Sequence, residues 1–142
     1  MSSWLIYALL SALCASLVAL FGKIGLQNLD ANTATAIRAV VMALFLIGVV
    51  VAQGKTALVG DILANKKALL FILLSGVAGA MSWLFYFMAL KHGNVAQVAP
   101  IDKLSVVFAV VLAVLLLGEK ISLLAGAGVA LISAGALMVA LG

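Results

Sequence analysis

Apolar residues run in five long blocks separated by short polar stretches: Trp4–Phe21, Ala34–Ala52, Ala68–Leu90, Val95–Leu117 and Ile121–Leu141. Each block, at about 1.5 Å per helical residue, is long enough to cross about 30 Å of hydrocarbon. The pattern predicts an all-α integral membrane protein with five transmembrane helices, read as a single domain over residues 1–142. An odd number of spans puts the two termini on opposite sides. The first block lacks the basic stretch of a signal peptide and four more spans follow it, so it reads as an uncleaved membrane helix.

The one sizeable polar connection runs from Gln53 to Lys67. Within it Leu58, Val59, Ile62 and Leu63 recur at helical spacing, which predicts a short amphipathic piece lying on the membrane surface. Asp30, Asn32 and Thr33 offer capping oxygens before the second span, and Asn94 offers another before the fourth.

Composition strengthens this reading. The chain has 142 residues, of which 68% are hydrophobic and 8% charged, and its mean hydropathy is +1.41. A soluble domain of this size could not hide so much apolar surface. The net charge is +4, carried by lysines at helix ends and in loops. That distribution suits lipid headgroups and gives no nucleic-acid surface. Cys14 is the single cysteine and reads as a packing residue. No Ser/His/Asp set, metal-ligand spacing or phosphate-cradling glycine loop occurs, so neither an enzyme nor a cofactor or metal site is expected.

The candidate chemistry lies in the polar residues that interrupt the spans. In the fourth span, Pro100 removes the backbone N–H that would bond the carbonyl of Ala96, which predicts a helix break there. Asp102 follows about 10–12 Å past the helix start, too deep for a short side chain to reach the headgroups. Lys103 is longer and can snorkel. Neighbours on a helix point about 100° apart, so the two are not expected to pair. Asp102 then needs Lys23 or Arg38 as its cation, or a proton. Two fates are open to each cation. Lys23, at the end of the first span, either snorkels or turns into the bundle, and Arg38, in an early turn of the second, serves either the interface or a solute path.

In the third span Trp83 and Tyr86 share a face, where they line a cavity or belong to the interfacial aromatic belt. Gly76, Gly79 and Ala80 on the same helix allow another backbone to come close. The glycines and alanines of the fifth span make a smooth face for another subunit. His92, beside Lys91 and Gly93, reads as a solvated turn residue.

Trp83–Gly93, Val95-Ala96-Gln97-Val98-Ala99-Pro100-Ile101, Leu104-Ser105-Val106-Val107-Phe108, Gly118-Glu119-Lys120 and the glycine-spaced last span together resemble the EamA family of the drug/metabolite transporter superfamily. The resemblance extends more weakly to Lys23 and Arg38. It implies a multi-pass carrier for small metabolites in the cell membrane, the inner membrane in a Gram-negative source, often an exporter of amino-acid-like compounds. Common members have ten helices in two copies of a five-helix unit, whereas this chain holds one unit. It therefore corresponds to one half of a ten-helix inverted-repeat bundle. It also carries Asp102-Lys103 where longer relatives often have apolar residues.

Topology bears on how the missing half is supplied. One side of the membrane owns Lys55, Lys66, Lys67 and Lys120, the other Lys23, Arg38, Lys91 and Lys103. That is four against four, or four against two without the deeper Arg38 and Lys103. So small a bias permits insertion both ways, and an antiparallel homodimer is the expected assembly. Three cations against one acid within the spans favour a carboxylate-bearing substrate. Two other readings stand beside this one: a membrane interaction subunit that transports nothing, and a cation or drug efflux carrier. The latter class uses an acid in the first helix, which is absent here.

Overall fold

The computed structural model describes residues 3–142. Seven helices follow one another: α1 (Ser3–Gly25), α2 (Ala31–Ala52), α3 (Ala57–Ala64), α4 (Lys66–His92), α5 (Val95–Asp102), α6 (Ser105–Leu117) and α7 (Leu123–Leu141). Counting α5 and α6 as one interrupted span, five are long and apolar enough to cross a membrane. Large apolar side chains such as Leu44, Phe45, Leu115 and Leu131 lie open on their helices, while Leu26, Phe87 and Leu90 are the only large ones buried among the described residues. Lipid is the solvent that makes such a surface stable.

Capping explains where the helices start. The Asp30 carboxylate accepts the Thr33 N–H at 2.8 Å and the Thr33 hydroxyl at 3.0 Å, so α2 begins at Ala31, three residues before the apolar block. Asn65 Oδ1 likewise accepts the Ala68 N–H at 3.1 Å and starts α4 early. Ser122 caps α7 through a 3.1 Å bond from the Ala125 N–H. Asn94 takes the capping position of α5 but uses its backbone carbonyl, which accepts from Val98 at 2.9 Å. Gly118 ends α6 with φ near 67°, and the Glu119 N–H reaches back to the Ala113 carbonyl at 3.2 Å, a left-handed stop that glycine adopts without a Cβ clash. The helix expected in the polar connection is α3, which carries Leu58, Val59, Ile62 and Leu63.

The helices gather into two compact sets. One comprises α1 up to Lys23 and the chain from His92 to Gly142, the other Ile24–Lys91. In the first set, α7 packs closely on α5 and less extensively on α6. The α7 residues withdrawn from solvent are Gly126, Val129, Ser133, Ala136 and Ala140, one face at helical spacing, and Gly128 beside it. Small residues of this face are used within the chain, while Ala127, Ala130, Ala134 and Gly135 stay exposed. Larger residues on the packed face would hold the short α5 away from α7. Lys23 anchors the start of this return, donating to the Gly93 carbonyl at 2.8 Å.

In the second set, α2 and α4 run in opposite directions, with Asp30 near enough to Lys91 for the ammonium to act on its carboxylate. A recess separates the two helices. Nothing lies within 4 Å of where a Cβ would sit on Gly76 or Gly79, so these residues do not seat a neighbouring backbone, as their spacing suggested. Instead they line the recess.

Candidate functional site

Arg38 is the centre of the second set. With α2 starting at Ala31, it stands seven residues, or about 10 Å, inside the helix, deeper than the apolar block implied. Its guanidinium lies 3.7 Å above the Trp83 ring centroid and 4.7 Å from that of Phe87. The Trp83 and Phe87 rings stack, 5.7 Å apart at 25°. Tyr86 stands edge-on to both, at 5.8 Å in each case. Four residues apart on a helix, Trp83 and Phe87 share a face, and the run Trp83-Leu84-Phe85-Tyr86-Phe87 makes that platform in little more than one turn.

The rings attract the cation without neutralising it. A cation on an aromatic face gains about 0.5–2 kcal/mol, depending on desolvation. Arg38 keeps its full charge, and no carboxylate lies within ion-pair reach of it among the described residues. Nη1 is enclosed and meets no acceptor there. Nη2 reaches only the Met42 sulfur at 3.5 Å, a weak acceptor on a flexible side chain.

Beside this cation opens a recess of about 510 Å³, lined among others by Asn32, Thr35, Met42, Gly76, Gly79 and Ala80. Thr35 donates its hydroxyl to the Ala31 carbonyl at 2.7 Å, which leaves its oxygen free to accept. The lining is mostly apolar, with Asn32, Thr35 and Arg38 its polar members. A pocket with one cation, two small polar groups and an otherwise apolar lining matches a small amphiphilic anion.

Asp102 and Lys103 belong to the first set and arrange themselves differently from the sequence expectation. Helical pairing stops at Asp102, the Lys103 N–H turns to the Pro100 carbonyl at 3.1 Å, and the Leu104 N–H turns to that of Ile101 at 3.0 Å. At the break, Lys103 Nζ folds back to Asp102 Oδ2 at 3.2 Å. In this 3₁₀-like turn neighbouring side chains still leave the backbone about 120° apart, so the contact depends on the length of the lysine. The acid thus takes its neighbour as counterion, where Lys23 or Arg38 was expected. Nor is it deeply buried, with 32% of its side-chain surface open.

Of the residues singled out from sequence, Arg38, Trp83 and Tyr86 come together in one cluster. Asp102, Lys103 and Pro100 form a second at the break, and Lys23 holds the Gly93 carbonyl. Phe87, Met42, Asn32 and Thr35 were missed. Phe87 was findable as the aromatic four residues after Trp83, and Met42 as the residue four after Arg38. Asn32 reads from the sequence only as a capping oxygen and Thr35 gives no signal, since a short polar residue near a helix start usually serves as a cap.

Five apolar spans, with a cation beside a recess between two of them, define a polytopic membrane protein. Residues 2–141 match the family model described as the EamA-like transporter family. A relative from Sinorhizobium sp., named "Uncharacterized transporter in cobO 3'region", is 46% identical over 138 residues, covering 97% of this chain and 96% of the relative. No solved structure matches. The chain belongs to the EamA-like transporter family and is a membrane transporter.

Proposed function

We propose that the chain is a secondary carrier in the cell membrane for a small carboxylate-bearing metabolite, amino-acid-like compounds included, and works as an exporter. The observation that supports this reading best is Arg38: a cation held on aromatic faces beside a recess, without an acidic partner among the described residues. A permanent carboxylate there would make the site structural, whereas an aromatic platform keeps the charge available to an incoming anion. A cation carrier needs the opposite sign at this place.

Two copies inserted in opposite orientations supply the two halves of the carrier, and alternating access moves the solute between faces. Asp102 serves as the proton- or substrate-coupled carboxylate, with Lys103 as its partner and Pro100 providing the break that lets it move. Lys23 holds the neighbouring turn.

The test is transport in proteoliposomes with a panel of labelled carboxylates and the corresponding amines. Carboxylates are expected to move, with apparent affinity falling about 10- to 100-fold in Arg38→Gln, the loss of one charge-assisted hydrogen bond. Equal transport by wild type and Arg38→Gln, or movement of amines alone, would overturn the assignment. A C-terminal tag accessible from both faces is the expected mark of the antiparallel pair. A tag confined to one face counts against it.

A further inference from the structure

We propose that Gly79 and Gly76 set the length of apolar tail that the Arg38 recess accepts, the preferred ligand being a monocarboxylate with an unbranched tail. This rests on the carrier reading only in assigning the carboxylate to Arg38.

Position along α4 carries the inference. Trp83 marks the level of the guanidinium. Gly79 lies one turn back along the helix, about 6 Å away, and Gly76 about 10 Å away, at 1.5 Å per residue. Both line the recess, and at both a Cβ would meet nothing within 4 Å. The polar lining groups, Asn32 and Thr35, lie toward the start of α2, and α2 runs opposite to α4. A carboxylate on Arg38 therefore has polar neighbours on one side, and its tail points along α4 over bare backbone. Any side chain added at these two positions takes up ligand space without displacing a neighbour. An extended chain advances roughly 1.2 Å per bond, so bulk at Gly79 stops a tail three or four methylenes sooner than bulk at Gly76.

Binding is read on the purified full chain in zwitterionic lipid nanodiscs, by the fluorescence of Trp83 in a Trp4→Phe background. The probes are straight-chain carboxylates from acetate to decanoate, with alkylammonium ions of equal length as controls. Affinity for the carboxylates is expected to tighten about fourfold per methylene up to a limiting length and then level off. Gly76→Leu shortens that limit and Gly79→Leu shortens it further, while acetate binds as in wild type. Gly76→Ala and Gly79→Ala give smaller shifts in the same order. Gly48→Leu, on α2 outside the recess and also in open space, leaves the limit unchanged.

The proposal fails if alkylammonium ions bind as well as carboxylates, if the leucine variants weaken acetate as much as octanoate, or if Gly48→Leu reproduces the shift. Length-dependent binding without flux in proteoliposomes would keep this inference and remove the carrier reading. Flux indifferent to Gly76 and Gly79 would do the reverse.

Discussion

The two helical sets hold charge within apolar helices by opposite means. In Ile24–Lys91, Arg38 rests on Trp83 and Phe87 and stays unneutralised. In the other set, Asp102 and Lys103 neutralise each other across a break in their helix. Aromatic faces lower the cost of a cation in lipid while leaving its field intact, whereas an ion pair largely cancels it. The packing follows the same division. α7 closes on α5 through small residues, but α2 and α4 stand apart around a recess lined by Gly76 and Gly79. Small residues thus do two jobs in one chain: they let helices meet on α7 and keep a space open on α4.

The largest expected effect lies at the unneutralised charge. Arg38→Lys keeps the sign but loses the flat guanidinium that stacks on the rings and grips a carboxylate with two donors. Its apparent affinity should fall several-fold, against the 10- to 100-fold loss expected for Arg38→Gln. Trp83→Leu leaves Arg38 charged and removes one aromatic face, a loss of about 1 kcal/mol or roughly fivefold. The expected ranking is Gln worst, with Lys and Trp83→Leu between it and wild type, read as KM for the transported carboxylate. Should Trp83→Leu equal Arg38→Gln, the ring itself contacts the solute and the platform view is too simple.

Smaller effects are expected at the neutralised pair. Asp102→Asn leaves Lys103 without its counterion, but the lysine is mostly exposed and can extend away. A double-mutant cycle over Asp102→Asn and Lys103→Gln, read by thermal unfolding in detergent, should give a coupling of about 1 kcal/mol or less, the usual range for an open ion pair. If Asp102 couples a proton, Asp102→Asn also flattens the pH dependence of transport while Lys103→Gln retains it. A coupling several times larger would mean that the pair is buried in the assembled carrier.

What could be read in advance divides along the same line. Span number, the α3 helix and the grouping of Trp83 with Tyr86 follow from hydrophobic runs and helical spacing, which local chemistry dictates. The Asp102–Lys103 contact was missed because the angle between neighbouring Cα–Cβ directions was weighed and the reach of the long lysine side chain was not. The platform under Arg38 needed the relative height of α2 and α4, which only their packing in three dimensions shows. Phe87 was visible only as one aromatic among several. The roles of Gly76 and Gly79 depend on whether a neighbour approaches, which spacing on one helix does not determine.

The smallest effect concerns Asp30, the cap of the helix that carries Arg38. Its carboxyl is held below the usual carboxylate range by the Thr33 backbone N–H, then by the Thr33 hydroxyl, with a lesser contribution from Lys91. A depressed pKa means that the ionised form is favoured by the fold. The cap therefore contributes its full stability above the unfolded carboxylate pKa, and loses it as pH falls through the lower folded value. Asp30→Ala should lower the unfolding temperature slightly at neutral pH, and the difference from wild type should shrink as the medium is acidified past that range. Because the group is exposed, the shift is expected to be small, and Asp30→Asn should recover part of it by capping without charge. A gap that persisted undiminished into strong acid would show that Asp30 acts by packing, and the start of α2 would need another cause.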